Sequence, residues 1–456
     1  MQNRLPTALP QSSQINKIAR ETGWLTRKRK ILSPTVFVKA LLSCVSCGHR
    51  SLREIAIEIG LLTGGTISKQ ALSERFNSKG VKFLKQIVVE SLRSSLRSLP
   101  THRLDQLSKI KRILIGDSSS ISMHSSLVED FPGSTNNSEE AKSAQLKFQF
   151  TFDLLSGQWL QTDLGPYLIP DQAAAPDIFL TVLQPGDLII RDLGYATLDS
   201  FDTIGEMGAF YISRLPHGAT LLARSGECLD LYRLASDCAK RPGDTFSMDI
   251  LLGAKKKLAC RLVIIRVPKH VANERRRRLK ATAKRKGRSE PKKAYLAQQD
   301  WSFYITNLSE AQAGNAQLFE LYQLRWRVEN IFRISKSQTG LVKISGHKTN
   351  ANHVRMLLWA WMLLMISMGR YGVFRLLELP AGGADPEIIT ASIFKSIERI
   401  FQLIAPSIEL AAAGDIITLL ERLSAQQAYH DRYEKRSRIS MPQRVARALQ
   451  IELSQS

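Results

Sequence analysis

Three carboxylates sit where a hard-cation site needs them. Asp117 follows the apolar run Arg112-Ile-Leu-Ile-Gly116, Asp192 follows Leu188-Ile-Ile-Arg191, and Glu329 lies within LFELYQLRWRVENIFRISKS. Each alone has an ordinary reading. An Asp at a strand end is commonly a turn or cap residue, and Glu329, four residues after Arg325, makes an i,i+4 pair of modest surface value. Delivered together by two strands and a polar helix face, they form the oxygen-ligand set that Mg²⁺ prefers, with positions left open for phosphate. Two such ions clamp the attacking and leaving oxygens of an in-line phosphoryl transfer. That chemistry needs no covalent protein intermediate, so the absence of a Ser-His-Asp or Cys-His arrangement costs nothing.

The element carrying Glu329 is predicted to be a long helix from Asn315 to about Lys336. At about 100° per residue, Arg325, Trp326, Glu329 and Lys336 all fall within roughly 60° of Tyr322. Leu321, Leu324, Val328, Ile331, Phe332 and Ile334 occupy the opposite side, as a core-facing stripe should. The helix therefore presents a carboxylate among an Arg, a Lys, a Tyr and a Trp.

The elements carrying the two Asp residues are predicted strands. From Lys111 the texture turns to strand: RILIGDSSSISM, then KFQFTFDLL and GQWLQTDLG about a Ser156-Gly157 turn. A helical stretch (Ala173–Leu183) leads to the buried-strand run DLIIRDLGY, followed by a helix over Thr197–Met207 and a strand in AFYISRL. Hairpin strands followed by alternating strands and helices predict a mixed α/β sheet covered by helices on both faces. Upstream, the first hundred residues read as helical, with apolar spacing through Val36–Leu42, Leu52–Leu62 and Val81–Leu92. A capping box at Ser51-Leu-Arg-Glu54 and a cap at Ser68, separated by Gly64-Gly65, suit either a helix-turn-helix over 51–77 or an ordinary helical hairpin. In the first case Lys69, Gln70 and Arg75 would face a DNA groove.

The chain holds 64 Lys and Arg against 41 Asp and Glu, a net +23, and a surface that basic seeks polyanions. Nine of the fifteen residues from Glu274 to Arg288 are basic, a run that reads as a solvated arm lying against phosphates. A membrane partner is not expected: the longest apolar stretch, Met356–Gly369, is too short to span a bilayer and reads as a buried helix. Met1–Arg20 lacks the apolar core of a signal peptide, so a cytoplasmic, nucleoid-associated location is expected. Five cysteines form no paired framework. Cys44-x-x-Cys47 has metal-like spacing, but without a second ligand pair it reads as two packed helix cysteines.

Tyr322-x2-Arg325-x3-Glu329-x6-Lys336 resembles the Y-R-E-K signature of the bacterial insertion-sequence-four transposases, and Asp192-Leu-Gly194-Tyr195 resembles that family's second-Asp motif. The resemblance covers about Lys111 to Lys348. It implies an α/β, RNase H-like core interrupted between Asp192 and Glu329 by a β-rich insertion. It also implies that Asp117, Asp192 and Glu329 hold Mg²⁺, with Mn²⁺ able to substitute, and that Tyr322, Arg325 and Lys336 hold DNA phosphates near the transposon tip. Trp301 and Trp326 become candidates to stack on a base flipped out at the cleaved end, Trp326 having core packing as its other reading. Arg214 resembles a basic position after the second Asp. The partners implied are double-stranded DNA, as transposon ends and target, and a second copy in a homodimeric synaptic complex.

The expected organisation is a helical end-binding region at 1–108, a first core part at 109–216 and a β-rich insertion at 217–298 with its basic segment at 274–288. A second core part at 299–347 and a helical region at 348–456 complete it. Two other functions fit the same acids: a metal-dependent nuclease without strand transfer, and a non-catalytic protein that grips DNA ends.

Overall fold

The structure, a computed structural model, describes residues 9–27, 31–96, 110–134, 143–154, 158–171, 182–325, 341, 344 and 350–368. Five helices open the chain: α1 (Ser12–Glu21), α2 (Pro34–Ser46), α3 (Leu52–Thr63), α4 (Lys69–Ser73) and α5 (Ser78–Leu96). Their starts obey local chemistry. The Ser51 hydroxyl accepts from Glu54 N while the Glu54 carboxylate accepts from Ser51 N at 2.8 Å, the reciprocal capping box opening α3. Gly64, at φ +68°, ends that helix, and the Ser68 hydroxyl accepts from Ala71 N to start α4. Lys69 and Gln70 are exposed on α4, whereas Arg75, just beyond it, lies over the Trp24 ring at 5.8 Å.

Nine strands follow: β1 (Arg112–Ser122), β2 (Gln145–Asp153), β3 (Gln158–Pro166), β4 (Asp187–Arg191), β5 (Phe210–Arg214), β6 (Leu221–Leu222), β7 (Thr245–Leu252), β8 (Leu258–Arg266) and β9 (Trp301–Thr306). They form one sheet in the order β3-β2-β1-β4-β5-β9-β8-β7-β6. The pairs β1–β2 and β2–β3 are antiparallel, and β4 and β5 run parallel to β1. That order and sense over the first five strands is the expected RNase H-like core. The segment between β5 and β9 does not stand apart as a separate layer. Its strands β8, β7 and β6 extend the same sheet beyond β9, which pairs antiparallel with both β5 and β8.

Helices α6 (Leu198–Glu206), α7 (Leu231–Lys240), α8 (Lys269–Arg285), α9 (Lys293–Gln298), α10 (Asn315–Gln323) and α11 (Ala351–Met368) complete the described elements. The basic run expected as a solvated arm is helix α8. Arg and Lys are good helix formers, and Ala272, Leu279 and Ala283 at helical spacing give it an inner face. The stretch expected as a buried helix is α11, with every side chain from Met356 to Ile366 under 9% exposed. It packs on α2, α5 and β3. Contact with α5 is close at Gly80, where an added Cβ would lie 2.7 Å from the Met356 sulfur. No helix among the described residues is long and apolar enough to cross a membrane. The predicted turn at Ser156-Gly157, all but the last two residues of the helix over Ala173–Leu183 and most of 348–456 lie outside the described residues.

Two apolar layers cover the sheet. One joins α2, α3, α5, α10 and α11 to Ile113, Ile115 and the β2 phenylalanines; the other joins α6 and α7 to Leu114, Ile189 and the far strands. Strand alternation assigns residues to these faces.

Candidate functional site

The geometry begins at the buried end of the parallel pair β1–β4. Arg112 and Asp187 face each other in register, and the guanidinium donates to the carboxylate at 2.7 Å (Nε to Oδ1) and 2.5 Å (Nη2 to Oδ2), with both side chains at most 5% exposed. Gln184 N donates to the same carboxylate at 2.7 Å. A fork-to-fork pair of this kind is geometrically selective, so it locks the register. The ladder then runs in step to Gly116 opposite Arg191. One residue further, at the open end, stand Asp117 and Asp192.

Alternation sends Asp117, like Ile113 and Ile115, to the face shared with α10 and α11, and Asp192, just past β4 in extended conformation, to the same face. Both are half-buried. Asp117 Oδ1 accepts from Ser118 N at 2.8 Å. Helix α10 lies on that face through Leu318, Leu321, Tyr322 and Leu324. Just beyond it the Arg325 guanidinium reaches within 3.9 Å of Asp192 Oδ1. The structure therefore brings together Asp117, Asp192 and Arg325. Glu329, Lys336 and Trp326 lie outside the described residues.

Tyr322 is set differently from the polar face predicted for it. It is 8% exposed, its ring packs on Tyr304 of β9 at 4.9 Å, and its hydroxyl has no hydrogen-bond partner among the described residues. Burial pushes its pKa up to about 12, against the opposing pull of Arg325 and Arg214. Arg214, exposed at the end of β5 and paired in register with Tyr304, joins this cluster. So does a residue the sequence did not single out: Arg275 of α8 donates to Trp301 O (3.2 Å) and Ser302 Oγ (3.0 Å). Burial and the nearby Arg214 charge both lower the Arg275 pKa. The guanidiniums of Arg214, Arg275 and Arg325 thus converge on two packed tyrosines, with Asp192 beside them. The arrangement suits an anion with several oxygens.

Trp301 is not brought to the acids. It is 3% exposed, belongs to the opposite apolar layer, and is covered by Phe246 at 5.7 Å and the Arg266 guanidinium at 4.6 Å.

Behind the acid pair lies a second polar group. The Arg191 guanidinium crosses Gly116 so closely that an added Cβ there would lie 2.8 Å from its Nε, and it packs 5.0 Å from the Tyr195 ring. Burial lowers the Arg191 pKa to about 10, which leaves it a cation at neutral pH. The Tyr195 hydroxyl donates to Gln149 Oε1, Gln149 Nε2 donates to Asp171 Oδ1 at 3.1 Å, and Lys147 Nζ donates to the same oxygen at 3.1 Å. Lys147 and Gln149, two apart on β2, were legible as one face of a strand; Asp171, in the loop after β3, carried no local signal.

Asp117 and Asp192 are hard oxygen donors on one face, which fits a divalent cation. Among the described residues no group of three His, Cys, Asp or Glu side chains could hold a metal ion. Cys44 and Cys47 are free thiols, one buried and one exposed.

A family model described as a transposase DDE domain matches residues 108–365. The transposase for insertion sequence element IS231D of Bacillus thuringiensis subsp. finitimus is 30% identical over 342 residues, covering 71% of this chain and 70% of that protein. The transposase for IS1151 of Clostridium perfringens is 26% identical over 355 residues, 71% of each chain. Among solved structures, the piggyBac transposase synaptic complex with hairpin DNA aligns at 11% identity and a TM-score of 0.43, covering 95% of this chain and 84% of that one.

Proposed function

Since the chain belongs to the transposase DDE-domain family, and so is a DNA transposase that cuts and joins DNA strands, we propose that Asp117, Asp192 and Glu329 are its catalytic acids. The carrying observation is the register of β1 and β4, which sets Asp117 beside Asp192 on the face that α10, leading toward Glu329, covers. These three carboxylates would hold Mg²⁺ or Mn²⁺, which supplies charge stabilisation to the phosphoryl oxygens under attack and departure.

The chain's own residues bind and orient the DNA. Arg325, Arg214 and the Tyr322 hydroxyl take phosphate oxygens beside the acids, with Lys336 as a fourth contact. Arg325 also stands close enough to Asp192 to offset part of its charge before substrate arrives. In the first reaction a water attacks the phosphorus at the element tip, the P–O3′ bond breaks and the 3′-hydroxyl leaves. In the second that hydroxyl attacks a target phosphodiester and expels the target's own 3′-oxygen, so one bond forms for each broken. A ring to stack on an extruded end base would come from Trp326, at about 1–3 kcal/mol per base. Two copies would hold the two ends, in a cut-and-paste reaction specific for end sequence.

The test is cleavage and joining of linear DNA carrying the element's own ends in Mg²⁺, comparing wild type with Glu329→Gln. Cutting at the tips by wild type, with binding but no cutting by the variant, supports the triad. Equal cutting by both removes Glu329 from it, and tip cutting without joined products removes strand transfer.

A further inference from the structure

Asp192 needs an external hold. It opens a short 3₁₀ turn, Leu193–Tyr195, in extended conformation, and its side chain caps nothing in that turn. Gly194 at its centre is exposed. The turn is held instead through Tyr195, which is 7% exposed with its ring on Arg191 and its hydroxyl on Gln149. Gln149 and Lys147 both donate to Oδ1 of Asp171, and Lys147 adds a bond to Ile169 O at 2.8 Å. The other Asp171 oxygen, Oδ2, faces Gly194: an added Cβ there would lie 3.4 Å from it and 4.0 Å from Oδ2 of Asp192. The two carboxylates therefore border the same small volume beside Gly194.

We propose that Tyr195, Gln149 and Asp171 are positioning residues, a bracket from β2 that holds the 192–195 turn so that Asp192 stays beside Asp117. This rests on the reading of Asp192 as a metal ligand. The bracket works from both sides of the turn. Tyr195 ties its end to β2, and Asp171, with its charge balanced by Lys147, walls the space beside Gly194. Groups that orient a carboxylate ligand in this way are worth about 10–100-fold in metal affinity.

The test is Mn²⁺ binding to the purified full chain, read from the electron paramagnetic resonance signal of free ion. The proteins are wild type, Tyr195→Phe, Asp171→Asn and Asp192→Asn. Tyr195→Phe keeps the ring on Arg191 and loses the hydroxyl's bonds to Gln149 and Ser118. Asp171→Asn, at a partly exposed site, keeps the shape and removes the charge. Both are expected to bind Mn²⁺ about tenfold more weakly, with the metal-free melting temperature and the end-DNA affinity in chelator at wild-type values. Wild-type Mn²⁺ binding by both variants, where Asp192→Asn has lost it, overturns the bracket and leaves the ligand reading standing. Weaker binding accompanied by matching losses of melting temperature and end affinity overturns it in favour of general destabilisation. Wild-type binding by Asp192→Asn overturns the ligand reading itself, and the bracket with it.

Discussion

The two ends of the β1–β4 pair carry the same residue type in opposite circumstances. At the closed end Asp187 is 1% exposed and engaged by Arg112 and Gln184 N; at the open end Asp117 and Asp192 are half-buried, and the Arg325 guanidinium stands 3.9 Å from Asp192. A buried carboxylate with all its partners serves stability, because removing one partner strands the other charge in a dry site. A half-buried carboxylate at the end of a central strand is within reach of a ligand. The register ties the two together: the structural pair sets the ladder that places the functional one.

The largest separation should come from substituting each end. Asp117→Asn and Asp192→Asn are expected to lower end cleavage by about a thousandfold or more, as loss of several kcal/mol of charge stabilisation demands. Urea unfolding midpoints should stay near wild type. Asp187→Asn is expected to do the reverse, costing about 3–5 kcal/mol of stability by leaving Arg112 unpaired. The double variant Arg112→Met/Asp187→Leu sharpens the contrast, since apolar replacement of a whole buried pair is often neutral. It should regain most of the midpoint and, where the register survives, cleavage. Asp187→Asn with a wild-type midpoint would break the comparison.

A smaller effect is expected between the two ends. Gly116→Ala places a Cβ against the Arg191 guanidinium, which must shift beneath the acids. Displacements near 1 Å in a reacting site cost about a hundredfold. Cleavage should fall by about that much, with end binding in chelator unchanged. Unchanged cleavage would show that Arg191 moves freely and the acids do not rest on it.

Much of this was legible in the sequence where the cause is local. Apolar runs with an Asp after them marked β1 and β4, and Ser51 with Glu54, and Ser68 before α4, announced helix starts that the structure caps as expected. The pairing of Arg112 with Asp187 was not legible, because register depends on strands 75 residues apart. Asp171 and Arg275 escaped for the same reason: nothing near Asp171 signals that β2 will reach it, and Arg275 sat unmarked in a run whose net charge hid its inner face. Tyr322 was placed by its helix wheel on the polar side, yet Tyr304 covers it, since a wheel knows the helix and not its neighbour. The continuity of the insertion with the core sheet came from β9 alone, which pairs on both edges.

The smallest expected effect uses a carboxylate remote from the pair. Glu54 has the satisfaction of Asp187 without its burial: backbone N–H groups of Ser51 and Arg50 donate to it, and these bonds, led by that from Ser51, hold its pKa down to about 2. A depressed folded-state pKa means stability present above the ordinary carboxyl range and lost as pH falls through it toward about 2. Glu54→Gln should therefore cost about 1 kcal/mol or less at pH 7, the usual worth of a cap. It should also flatten the loss of stability between about pH 4.5 and 2, measured by urea unfolding across that range. End cleavage at pH 7 should match wild type. If cleavage fell with the cap, the helical layer and the acid pair would be energetically coupled. Partner-rich carboxylates could then no longer be assigned to stability alone.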